Sequence, residues 1–229
     1  MARRLVVALL APVSWSPPGV DPVDWRTALA EDVVDLLATL QEVETAVAVT
    51  PADRWLADAV VWPGTAVHEV PEPTPTAVFA ALAAPPAAGV PPTAAPGDPA
   101  RSDPGVGVPT AYDQVAVIAG DAPDVPGLTI GKLLRPLTTR PVAVAPVEGS
   151  GPGLLGVAVR LPVPAWLPRL DLDTALPTAV RTAAPQPGDL AVTPAWRRLR
   201  GPADLAGLDP AVEGWEATRA LLSGAGRPG

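Results

Sequence analysis

The stretch that most limits what this chain can fold into runs from Gln114 to Gly156. Val115–Ala119 is a short, unbroken apolar run bounded by turn formers, the pattern of a strand covered on both faces. Gly120-Asp121-Ala122-Pro123 follows at its carboxyl end. Leu128–Leu137 has helical spacing, Pro141–Pro146 is a second apolar strand, and Glu148–Gly153 (EGSGPG) is a glycine-rich turn. A two-sided strand, a helix and another two-sided strand form a parallel crossover unit. In open α/β sheets, ligands lie beyond the carboxyl ends of the strands. This reading puts Asp121 and the glycine turn on adjacent strand ends, at the edge where a ligand is expected.

The flanking sequence repeats the unit. Leu5–Ala11 (LVVALLA) is a first strand, central because both its faces are apolar, and the loop 12–22 returns at the same edge. Asp24 or Thr27 is expected to cap a helix running to about Val43, with Leu29, Val33, Leu36, Leu37 and Leu40 on one face. Strands are expected over Thr45–Thr50, weakly over Thr65–Val70, and over Leu154–Leu161 and Asp189–Thr193. Helices are expected over Asp53–Val61, Pro75–Leu82, Thr174–Ala183 and about Pro210–Leu222. The fold class is therefore α/β: three layers, α/β/α, around a mostly parallel sheet. A length of 229 residues suits a single domain over 1–229. The chain has 33 prolines, and their density over 83–109 forbids a helix or a central strand, so that segment reads as a flexible Pro/Ala/Gly-rich loop within the domain.

Charge and composition narrow the partners. A formal net charge of −8 argues against nucleic acid, which needs a basic face, but leaves room for a local phosphate pocket. With no cysteine there is neither a disulfide framework nor a thiolate metal site. No apolar run approaches the ~20 residues of a membrane span. Arg3-Arg4 before Leu5–Ala11 mimics a signal peptide, but the run is short and no A-x-A site follows, so a strand in a cytoplasmic protein is the reading.

At two places the chain resembles a known family. The run Ala119-Gly120-Asp121-Ala122-Pro123-Asp124-Val125 is similar to a G-[ST]-D-C-P-D-L motif. Pro146-Val147-Glu148-Gly149-Ser150-Gly151-Pro152-Gly153-Leu154-Leu155-Gly156 is similar to P-A-E-D-G-G-Y-Y-L-[IL]-G. Both motifs belong to glycosyltransferase-A-like (GT-A) proteins of unknown function (domain of unknown function 2064), which are similar to the phospholactate guanylyltransferases. Arg26-Thr27-Ala28-Leu29 stands where that family has K-T-R-L. Residues 196–205 stand where it has W-x-D-[VI]-D-T-P-E-D-L.

The resemblance implies a nucleotide-dependent transferase, glycosyl or nucleotidyl, whose partner is a nucleotide or nucleotide-sugar. It implies nucleotide contacts from Leu10, Ala11, Pro12, Arg26, Gly120, Asp121, Arg198 and Arg200. It implies acceptor contacts from Glu148, Gly149, Ser150 and Gly151, and a Mg²⁺ ion on Asp121. The departures bear on that metal. The second motif's Asp is Gly149, and the last motif's two aspartates are Arg198 and Arg200. Magnesium is held by one or two carboxylates plus substrate phosphates, so an arginine in place of each carboxylate stands against it. Two readings follow: the arginines neutralise a diphosphate directly, or the chain is a degenerate member, a non-catalytic scaffold or partner protein on the nucleotide-binding fold.

Three further features have competing readings. Asp171-Leu172-Asp173 matches the D-x-D by which glycosyltransferases hold a metal, while Asp173 also suits the cap of a helix from Thr174. Residues 149–153 read either as a phosphate-cradling turn or as a plain connection between strands. His68, the only histidine, reads as structural, and Trp15 as packing or as a surface on which a base could stack.

Overall fold

The computed structural model describes residues 2–83, 112–149 and 151–224. Ser150 and residues 84–109 of the proline-rich segment lie outside the described residues. Seven strands form one sheet: β1 (Arg4–Leu9), β2 (Glu44–Val49), β3 (Ala66–Glu69), β4 (Gln114–Ala119), β5 (Val142–Pro146), β6 (Leu154–Arg160) and β7 (Leu190–Val192). Their order across the sheet is β3-β2-β1-β4-β6-β5-β7. All run parallel except β6, which is antiparallel to both its neighbours. The expected mostly parallel α/β sheet is therefore what the chain builds, with β1 and β4 at its centre.

Strand alternation explains the three layers. Val6, Ala8 and Leu10 of the β1 segment face one core with Ala116, Ile118 and Ala158. That core is closed by α1 (Pro22–Thr39), α2 (Arg54–Val60) and α4 (Gly127–Leu134). Leu5, Val7 and Leu9 face the opposite core, closed by α3 (Pro75–Ala83), α5 (Pro177–Ala183) and the loop residues Leu170 and Leu172. Successive strand side chains point to opposite faces, so a run apolar at every position needs cover on both sides. Two short helices, α6 (Pro202–Leu205) and α7 (Glu216–Leu222), follow the last strand.

Several expectations shift at element ends. Asp21 caps α1, accepting from the Val23 and Asp24 amides, because Pro22 at the first helical position has no amide to satisfy. That helix ends at Thr39, short of Val43. Asp173 caps nothing: α5 begins at Pro177. The last helix spans only 216–222, preceded by a turn at Gly214 with φ +96°. The largest correction concerns order. β4 and β5 are not neighbours, because β6 is inserted antiparallel between them. The 148–153 turn leads into β6, whose start lies beside the end of β4, so Asp121 and the turn still meet on neighbouring strand ends. The insertion needs Gly156: a Cβ there would lie 2.8 Å from the Val117 carbonyl oxygen of β4.

Candidate functional site

Beyond the paired ends of β1 and β4 the chain continues to opposite sides of the sheet, from β1 to β2 and from β4 to β5, the place such folds open a cleft. Gly120 allows the two ends to close up, since a Cβ there would meet Leu10 Cδ2 at 2.8 Å and the Leu9 carbonyl at 3.0 Å. Leu10 itself is buried in the core and donates its amide to Ala48. Beyond this floor come Asp121 and, in the same turn, Asp124; both carboxylates are buried.

Each aspartate pins two residues of the strap that follows β7. Trp196 lies alongside Val147 as an extension of the parallel pairing, exchanging backbone bonds with Pro146 and Glu148. Asp124 then accepts from Trp196 Nε1 at 3.2 Å and from Arg197, whose Nη2 lies at 2.7 Å. Asp121 receives Arg198 in two parallel bonds, Nε to Oδ1 at 2.6 Å and Nη2 to Oδ2 at 2.9 Å. The Leu199 amide donates to the Asp121 carbonyl at 2.8 Å. Leu199 closes a small satellite core with Trp25 and Leu29, against which Trp15 packs edge-on at 5.9 Å from Trp25. Trp15 is thus a packing residue.

A third carboxylate arrives from the loop between β6 and α5. Asp171 Oδ1 accepts from the Asp173 amide (2.8 Å), the Thr174 amide (3.0 Å) and the Thr174 hydroxyl (3.1 Å), a local turn that aims Asp173 inward. Asp173 Oδ1 then lies 2.7 Å from Arg198 Nη2. Arg198 Nη1 donates to the carbonyls of Leu172 at 2.9 Å and Leu154 at 3.3 Å. All five guanidinium N–H groups are therefore taken by the protein. Burial alone would pull the Arg198 guanidinium down. The charges and hydrogen bonds of Asp121 and Asp173 outweigh it and hold it above its ordinary value, so it stays charged.

The cleft is shaped by this cluster. Its floor, lined by Ala11, Pro12, Gly120, Asp121, Asp173 and Arg198, leaves about 20 Å³, room for about one water. Next to it a second hollow of about 150 Å³ is lined by Pro12, Val13, Ser14, Asp121, Asp173 and Arg200. The Arg200 guanidinium has no carboxylate partner among the described residues and reaches only the Pro152 carbonyl, at 3.4 and 3.5 Å. Gly153, at φ +126°, makes room for it: a Cβ there would lie 2.8 Å from Arg200 Nη1.

These residues do not fit a divalent ion. Both oxygens of Asp121 and one of Asp173 already hold Arg198, whereas magnesium needs oxygens at 2.0–2.1 Å. An added ion near 4 Å from the guanidinium would meet roughly 4 kcal/mol of repulsion per unit of its charge at an effective dielectric of 20. Among the described residues, no cluster of three or more His, Cys, Asp or Glu is placed to hold a metal.

The remaining sequence candidates are spread along the edge. Ala11, Pro12, Gly120, Asp121, Arg198 and Arg200 meet around the two hollows. Arg26 lies toward β2: its Nη2 is 2.7 Å from Asp53 Oδ1 and 3.4 Å from the Ala11 carbonyl, and its guanidinium stands over Trp55 at 5.4 Å. Glu148 is exposed, 3.9 Å from Arg197, and Gly149 turns with φ +97°. Gly151 is exposed beyond it. His68 sits in β3 at the sheet edge, its pKa lowered by burial. Sequence reasoning singled out Asp173 and Gly153 but gave them other roles: Asp173, read as a metal ligand or a helix cap, pairs with Arg198, and Gly153, read within the glycine turn, leaves space for the Arg200 guanidinium.

No family model matches the chain, and no curated protein matches it in sequence. Solved structures do match. One is a protein assigned to the nucleotide-diphospho-sugar transferases from Desulfovibrio desulfuricans, at TM-score 0.59 and 15% identity over 98% of both chains. Rv0371c from Mycobacterium tuberculosis matches at 0.54 and 16%, covering 97% of this chain and 98% of that one. A 4-diphosphocytidyl-2C-methyl-D-erythritol synthase from Anaerococcus prevotii matches at 0.54 and 9%, over 96% of both. At such identities the likeness is one of fold: the chain has the nucleotide-diphospho-sugar transferase-like α/β fold. No helix among the described residues is long and apolar enough to cross a membrane.

Proposed function

We propose that this protein binds a nucleotide or nucleotide-sugar over the carboxyl ends of β1 and β4, as a transferase of the glycosyl or nucleotidyl type similar to the phospholactate guanylyltransferases. The observation that carries the reading is Arg200, a guanidinium without a carboxylate partner among the described residues, facing a hollow beyond the ends of β1 and β4. The backbone of 11–14 would border the nucleoside, Arg200 would receive a phosphate, and the 148–151 turn would meet the acceptor. Arg198 orients this arrangement without contacting phosphate, because its donors are spent. That saturation equally favours a second reading, a protein that keeps nucleotide binding and has lost transfer.

Thermal-shift titration with UTP, GTP, CTP, ATP and their sugar conjugates tests the site. At a hundred times its dissociation constant, one of them should add ~2.7 kcal/mol of stability. Arg200→Gln removes a charge-assisted hydrogen bond worth about 1.5–3 kcal/mol, so affinity should fall roughly 10- to 100-fold. No shift with any of them at millimolar concentration would remove the nucleotide reading. Assaying the bound pair for transfer to an acceptor separates the transferase from the inactive binder.

A further inference from the structure

The Arg198 side chain fills a cage made wholly of oxygen. Three carboxylate oxygens surround it: Asp121 Oδ1 and Oδ2 at 2.6 and 2.9 Å, and Asp173 Oδ1 at 2.7 Å. Two carbonyl oxygens, Leu172 and Leu154, complete the set at 2.9 and 3.3 Å. An ordinary buried ion pair joins one carboxylate to one base. Here a single nitrogen, Nη2, is shared by carboxylates from two separate segments, so one point of positive charge lies within 2.7–2.9 Å of both. Asp171 is committed to the backbone of 173–174, which holds Asp173 toward that point although its side chain is half exposed. Charged and neutral oxygens with no nitrogen or sulfur donor among them are the ligand set of hard divalent cations.

We infer that Arg198 is an internal replacement for a divalent cation. The cage is closed to metal in this protein, and removing the guanidinium opens it as an all-oxygen metal site. One consequence, that a ligand's phosphate meets Arg200 with no ion between them, rests on the nucleotide reading. The metal site itself does not, so its test uses metal alone.

Mn²⁺ is titrated without nucleotide and its free-ion EPR signal followed, on the wild type, Asp173→Asn, Arg198→Ala, and Arg198→Ala combined with Asp173→Asn. The wild type should leave the signal undiminished to millimolar concentration. Arg198→Ala should take up one Mn²⁺ per chain with a dissociation constant of roughly 10⁻⁴–10⁻³ M, the weak end for oxygen-ligand sites. The double variant should lose it. Arg198→Gln, which removes the charge but leaves an amide in the cage, is the second variant, with the same uptake expected. Mn²⁺ bound by the wild type and released by Asp173→Asn would overturn the inference, whether or not either Arg198 variant folds. A folded Arg198 variant that binds no Mn²⁺ would overturn it as well.

Discussion

Arg198 and Asp121 are 4% and 5% exposed, so neither charge has water to fall back on. Replacing Arg198 by Met leaves the Asp121 carboxylate buried and unpaired and strips a donor from the Leu154 and Leu172 carbonyls. Breaking a buried pair from one side in this way costs roughly 3–5 kcal/mol. Asp121→Asn is milder, about 1.5–3 kcal/mol, because the guanidinium keeps Asp173 and both carbonyls. In a chain of this size each kcal/mol moves the melting temperature by about 2–4 °C, so Arg198→Met should melt roughly 6–20 °C lower. The double variant is the sharper test. With both partners neutral there is no buried charge at Asp121 to strand, and the total loss should fall short of the sum by about 2 kcal/mol or more. Urea unfolding at pH 7, followed by circular dichroism across the four proteins, measures this coupling. Additivity within ~0.5 kcal/mol would refute the bidentate pair as the anchor of the cleft.

Two other positions give separate tests. Asp32 is buried on α1 and accepts the Ala217 and Thr218 amides, both at 2.9 Å, and burial raises its pKa from 3.8 to about 6. A carboxyl raised on folding contributes stability that is present below pH 3.8 and lost as pH rises through 6. Relative to Asp32→Asn, the wild type should therefore lose on the order of 2 kcal/mol between pH 4 and pH 6–7, and parallel urea midpoints over that range would contradict it. Gly156→Ala should lower the melting temperature by about 2–12 °C, since its methyl would press on the fixed Val117 carbonyl. Gly151→Ala, with no heavy atom within 4 Å of the new methyl, should change stability by less than ~0.5 kcal/mol, and equal effects at the two glycines would disprove the packing argument.

Sequence alone determined that this is a covered, mostly parallel α/β sheet. Runs such as Leu5–Ala11 and Val115–Ala119 are apolar at every position and short, with turn formers after them, the pattern of a strand buried on both faces. It also pointed to the edge where the cleft lies, because Gly120 and Asp121 follow directly on a two-sided strand. Which strands are neighbours was decided by tertiary structure. Apolar content says that β6 is buried but not that it turns back between β4 and β5, a placement that Gly156 permits by leaving room for the Val117 carbonyl. Ion pairing was decided there too. The family resemblance made Arg198 a nucleotide contact and the local sequence left Asp173 as a D-x-D metal ligand or a helix cap, because neither signal shows which distant side chains meet. Folding brings Asp121, Asp173 and Arg198 from three segments into one desolvated cluster, where opposite charges must saturate each other before any remains for a ligand. Arg200, two residues further and on the rim, escapes that requirement: no carboxylate among the described residues pairs with its guanidinium.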